Sequence, residues 1–140
     1  FIVKQMEANG KFLPWNNRLG YSKIMLQKRI KQYNETSKDK MSFFDRGIPD
    51  LIAYIIKDKL KVPKFYYDAA KKHRYNKIVF LTLPWKEIHK NDNERKESFE
   101  DSEIIYKTIK NTYHSLGYNC IYVPKKPIKE RVKFILEKVK

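Results

Sequence analysis

The segment Phe43-Phe44-Asp45-Arg46-Gly47 concentrates the residue types best able to do chemistry in this chain. A carboxylate at the end of an apolar run can hold a hydrated Mg²⁺ or take a proton from a substrate hydroxyl. The adjacent guanidinium can fork onto a phosphate, and the glycine lets a ligand approach the backbone closely. The competing reading is a loop aspartate that caps the next helix, with Arg46 as its surface partner. Trp15 and Trp85 each follow a proline at a chain reversal, where an indole either stacks on a flat ring or is buried to lock the loop. His73, His89 and His114 lie on separate segments without metal-ligand spacing, so no histidine metal site is expected. Cys120 stands alone, which excludes an internal disulfide and a cysteine zinc site and fits a reducing, cytoplasmic interior. No nucleophile elbow or Ser-His-Asp set is visible.

Positioning these residues falls to a chain of 140 residues, 41% hydrophobic and 14% aromatic, enough for one core of ordinary size. We expect a single α/β domain over residues 1–140. Residues 1–8 read as a helix end stopped at Asn9-Gly10. Asn16 or Asn17 caps a second helix running to about Tyr33, with Leu19, Ile24, Met25, Leu26, Ile30 and Tyr33 as its apolar stripe. Met41 to Phe44 reads as a short buried strand ending at Asp45. Pro49 and Asp50 open a helix to about Lys57, and Pro63 opens another to about Lys72. Residues 77–83 form the clearest strand, apolar throughout as a parallel strand covered on both faces should be. A long helix spans about 94–115, with Phe99, Ile104, Ile105, Ile109 and Tyr113 for its buried face and Gly117 as its stop; a strand at 119–123 and a helix from 127 or 128 follow. Strands alternating with helices imply a parallel sheet with crossover helices, and in such sheets ligands bind beyond the carboxyl ends of the strands.

The formal net charge is +15. Seven acids against three bases leave residues 87–103 at about −4, so the excess of positive charge lies elsewhere. That excess favours polyphosphate, nucleotide or nucleic-acid partners, or else marks a lysine-rich solvated surface. No zinc finger, RNP-type strand motif or basic recognition helix is present, so nucleic acid is not the favoured partner. No apolar run approaches membrane-spanning length, and no membrane partner is expected. The opening Phe1-Ile2-Val3, without an initiator Met, reads as cut from something longer.

Phe43-Phe44-Asp45-Arg46-Gly47-Ile48-Pro49-Asp50 with Ala53-Tyr54 resembles the hydrophobic-hydrophobic-Asp-Arg-Gly-x-x-Asp segment of a bacterial family of predicted P-loop ATPases or kinases. That family is a kinase-like AAA-type group related to the nicotinamide riboside kinases. Further pieces match in order, among them Phe12-Leu13-Pro14-Trp15, Arg74-Tyr75-Asn76 ahead of Val79-Phe80-Leu81, Pro84-Trp85-Lys86-Glu87-Ile88, Asp92-Asn93-Glu94-Arg95 and Leu116-Gly117-Tyr118. The resemblance implies a three-layer nucleoside-kinase-like fold and phosphoryl transfer from MgATP to a small hydroxyl acceptor or water. It implies that Asp45 is the Walker-B-type acid, on Mg²⁺ or as base, and that Arg46 contacts phosphate or substrate. Asp50 orients Arg46 or an acceptor hydroxyl, or simply complements the helix dipole. Arg95 resembles a lid arginine closing on the transferred group, its alternative being a surface pairing with nearby acids. Arg18 and Trp15 fall on the acceptor side. The family's Gly-x-x-x-x-Gly-Lys-Ser/Thr phosphate loop is not among these residues, and we expect it on an upstream segment of a few tens of residues. The alternatives are a basic nucleic-acid-binding domain and a degenerate, non-catalytic interaction domain.

Overall fold

The structure is a computed structural model and describes residues 17–84 and 98–139. The chain divides into two compact units, with the boundary between Tyr75 and Asn76.

The first unit is helical where described. Helix α1 (Arg18–Glu35) is capped by Asn17, whose Oδ1 accepts from the Gly20 amide at 2.9 Å, satisfying one of the donors that every helix start leaves unpaired. Helix α2 (Ile48–Lys57) follows, with Pro49 in its first turn and Asp50 at the positive end of the dipole. Its sequence, Ile-Pro-Asp-Leu-Ile-Ala-Tyr-Ile-Ile-Lys, is apolar on nearly every side, the pattern of a helix surrounded by its own core. Ile48, Ile52, Ala53 and Ile55 are completely buried, and burying each isoleucine contributes about 1.5–3 kcal/mol. Helix α3 (Lys64–Lys72) starts after Pro63 and buries Tyr66 and Ala70; α2 packs against both α1 and α3.

The expected strand at residues 41–44 is absent. That stretch is irregular, with Met41 59% and Phe43 61% exposed. A four-residue stretch with three apolar side chains carries no period of its own, and with no strand alongside it among the described residues to take its backbone hydrogen bonds it stays irregular and wet. Phe44 alone turns inward, its ring 5.1 Å from Tyr75 and 6.5 Å from Tyr33.

The second unit holds strands β1 (Ile78–Thr82) and β2 (Asn119–Val123), paired in parallel with Ile78 opposite Asn119 and Thr82 opposite Val123. Helix α4 (Phe99–Ser115) lies between them in sequence and packs on β2, as a parallel pair requires a crossover. Ser98 caps α4, its Oγ accepting from the Asp101 amide while the Asp101 carboxylate accepts from the Ser98 amide. The buried face of α4 is Ile105, Ile109, Thr112 and Tyr113; the expected Ile104 is 54% exposed. Helix α5 (Ile128–Lys138) also touches β2 but buries none of its residues. The described residues thus hold two of the three expected strands, in a mixed helix and parallel-sheet architecture. No described helix is long and apolar enough to cross a membrane.

Candidate functional site

Asp45 and Arg46 occupy the bend between the irregular 41–44 stretch and α2, and both are exposed. Arg46 has φ of 71°, in the left-handed region, which costs a residue with a Cβ on the order of 1 kcal/mol or more. Asp50 holds this conformation from the first turn of α2. Its Oδ1 accepts from the Gly47 amide at 3.1 Å, and its Oδ2 accepts from Arg46 Nη1 at 3.3 Å. The Asp50 side chain is only 8% exposed, so both oxygens that left water have a protein donor. The bend is fixed on its other sides by aromatic residues. The Ile48 amide donates to the Tyr75 hydroxyl at 3.2 Å, Tyr33 donates to the Arg74 carbonyl at 2.7 Å, and Phe44 packs on both rings.

Helix α2 also joins Arg18 to Arg46. The Arg18 guanidinium lies 4.7 Å from the centre of the Tyr54 ring and the Arg46 guanidinium 6.0 Å from the same ring. Arg18 Nε donates to Asp58 Oδ2 at 2.8 Å, tying the start of α1 to the end of α2. Burial alone would lower the Arg46 pKa, but Tyr54, Asp50 and Asp45 together hold it above its ordinary value. Tyr21 stands in the same neighbourhood: burial pushes its phenol up, while the charges of Arg29, Arg18 and Arg46 pull it back.

The structure therefore brings together Arg18, Asp45, Arg46 and Asp50 of the residues singled out in the sequence. Trp15, Trp85 and Arg95 lie outside the described residues, as does the helix expected at 1–8. Reasoning from sequence missed Tyr21 and Arg29. A signal was available, because spacings of three and eleven residues return to one face of a helix, and Arg18, Tyr21 and Arg29 have them. Asp45 does not cap α2; Gly47 occupies the cap position.

The other reactive side chains are structural in their surroundings. His73 Nδ1 lies 2.9 Å from the Ala69 carbonyl at the end of α3, with the ring edge-on to Tyr33. In the second unit, Tyr122 is held below its usual pKa by hydrogen bonds with Lys110 and Tyr106, whereas burial pushes the Cys120 thiol up. Among the described residues no group of three or more His, Cys, Asp or Glu side chains is arranged to hold a metal ion.

A family model described as AAA domain matches residues 1–131 and so runs through both units. No curated protein and no solved structure matches the chain. The parallel strand pair with its flanking helices is compatible with the α/β P-loop architecture of that family. By the extent of this match, nearly the whole sequence, the chain belongs to the AAA domain family.

Proposed function

We propose that this chain belongs to a P-loop ATPase or small-molecule kinase that transfers a phosphoryl group from MgATP to a hydroxyl acceptor or to water. Membership of the AAA domain family supports nucleotide binding of the P-loop kind. The observation that carries the finer reading is the bend at Asp45-Arg46, where a non-glycine residue is held in a left-handed conformation by a buried carboxylate. Such strain persists only where the surroundings enforce it, and it gathers at sites where side chains must be aimed.

In this reading Asp45 accepts the proton of the attacking hydroxyl or stands as the protein's carboxylate toward Mg²⁺. The residues fit that ion in one respect: Mg²⁺ keeps several waters and takes one or two carboxylates beside the nucleotide's own phosphate oxygens, so a single exposed aspartate is sufficient. When bound, Mg²⁺ supplies charge neutralisation at the phosphates. Arg46 contacts the phosphate or the acceptor, and Asp50 is its positioning residue. Arg95 takes the lid role that the resemblance implies, and Trp15 the acceptor side. A three-layer nucleoside-kinase-like fold and kinship with the nicotinamide riboside kinases belong to the same proposal, as does a cytoplasmic location, and they make nucleosides the acceptors to try first.

The test is MgATP turnover by the natural full-length protein across a panel of nucleosides, with Asp45→Asn as the variant. Turnover that falls by about 100-fold or more while thermal unfolding stays unchanged supports the assignment. Turnover equal to that of the parent protein removes Asp45 from the mechanism. The net charge of +15 favours a second reading, a surface for nucleic acid, which predicts binding that weakens steeply with salt and is indifferent to MgATP.

A further inference from the structure

The first unit gathers arginines where α1 packs on α2. Arg18 and Arg46 lie against the Tyr54 ring; Arg29 follows Arg18 on α1, and the charges of all three pull the Tyr21 pKa down against the effect of its burial. On α1, Arg18, Ser22 and Arg29 fall within one narrow face because offsets of four, seven and eleven residues are each close to whole helical turns. That face carries buried polar atoms with no hydrogen-bond partner among the described residues: the Arg29 Nε and the Oγ of Ser22, a residue with no exposure at all. A buried N–H without an acceptor costs on the order of 1–3 kcal/mol, more when it is charged. Arg18 and Arg46 have one carboxylate bond each, through Nε to Asp58 and through Nη1 to Asp50, and a guanidinium carries five N–H donors. Among the described residues the three guanidinium groups therefore carry more N–H donors than the carboxylate bonds described for them.

We propose that Arg18, Arg29 and Arg46 form a binding site for the dianion of a small phosphate monoester. A phosphate group supplies several acceptor oxygens with the charge and fork geometry that arginines, rather than lysines, match. Arg18 is 14% exposed and fixed by Asp58, so it forms the floor; Arg46 is 49% exposed and leaves the organic part of the ester a way out to solvent. The site goes beyond the phosphotransferase reading in that it needs neither nucleotide nor Mg²⁺. It rests on that reading only in identifying the monoester as an acceptor.

The experiment is calorimetric titration of the full chain with inorganic phosphate and with ribose 5-phosphate, both without nucleotide and without Mg²⁺. Saturable binding of ribose 5-phosphate, at least as tight as inorganic phosphate, is expected. Arg29→Gln should weaken it about tenfold or more. Lys31→Gln, which removes an exposed charge two residues away paired at 3.9 Å with Glu35, should change it less than about twofold. Equal losses in the two variants would reduce the effect to diffuse charge and overturn the site, and so would binding of inorganic phosphate alone. Arg29→Lys and Arg46→Lys keep the charge and most of the packing, so they decide the matter if Arg29→Gln fails to fold: wild-type affinity in both rejects the proposal. Asp45→Asn separates the two readings. Removing the carboxylate beside Arg46 should tighten the monoester a few-fold by lifting a like-charge repulsion, whereas the phosphotransferase reading predicts that turnover is lost in that same variant. A chain that binds the monoester yet never turns over MgATP retains this site and loses the kinase.

Discussion

Helices α2 and α4 end in the same way, one in each unit. At the end of α4, Gly117 has φ of 88°, its amide donates to the His114 carbonyl at 3.0 Å, and the Tyr118 amide reaches the Tyr113 carbonyl at 3.1 Å. At the end of α2, Lys59 has φ of 59°, its amide donates to the Ile56 carbonyl at 2.9 Å, and the Leu60 amide reaches the Ile55 carbonyl at 3.2 Å. Both are Schellman endings, closing the last free carbonyls around a left-handed residue. The second unit uses the residue that takes this conformation without steric cost; the first uses lysine. Arg46, just before α2, is left-handed as well, so α2 is bracketed by two strained non-glycine residues. The difference shows where strain can be held. Helix α2 is anchored by fully buried isoleucines and can enforce poor backbone geometry on both flanks, one of them at the candidate site. Helix α5 buries none of its residues.

The largest effect that sharpens this contrast is catalytic: Asp45→Asn should lower phosphoryl transfer by about 100-fold or more with little change in stability. Turnover assays on the full-length protein check it, and an equal drop in melting temperature would mean that Asp45 belongs to the scaffold instead. Next in size is the anchoring itself. Ile52→Ala in α2 should cost about 2–5 kcal/mol in denaturant unfolding, while Val132→Ala in α5, at 48% exposed, should cost less than about 1 kcal/mol. Equal losses would break the contrast between the two helices. Smaller again are the two helix endings: Gly117→Ala should destabilise by about 1 kcal/mol, and Lys59→Gly should stabilise by about 0.5–1 kcal/mol if the lysine is strained. Thermal unfolding of the two variants side by side reads both signs. The smallest effect is chemical. Burial raises the Cys120 pKa, so at pH 8 less of it is thiolate than of a free thiol, and iodoacetamide should alkylate it a few-fold more slowly. The deficit should shrink as the pH rises through the thiol's raised pKa; a rate above that of a free thiol at pH 8 would show an activated cysteine instead.

Much of this was legible beforehand because local rules set it. The expected helix after Pro63, the strands expected at 77–83 and 119–123, observed at Ile78–Thr82 and Asn119–Val123, and the stop at Gly117 appear where caps, prolines and apolar runs put them. The Met41 to Phe44 strand failed because so short a run, with three apolar residues and Ser42, does not specify a partner, and a strand exists only when another supplies its hydrogen bonds. The pairing of Arg46 with Asp50 could be anticipated from a spacing of four across the start of a helix. Arg29 and Tyr21 were overlooked because an arginine within a lysine-rich helix is indistinguishable by composition from solvated charge.

By itself the sequence determined the AAA-family likeness, carried by the order of short pieces along nearly the whole chain, and the helix starts at Asn17 and Pro49, which depend on residues close together. Only the tertiary structure decided that Arg18 and Arg46 share the Tyr54 ring and that Asp58 holds Arg18 from forty residues away. It also decided that Arg46 keeps a left-handed backbone. The physical reason is that burial of α2 by α1 and α3 is a many-body outcome of packing, and it alone fixes which distant charges meet and how much strain the backbone between them can hold.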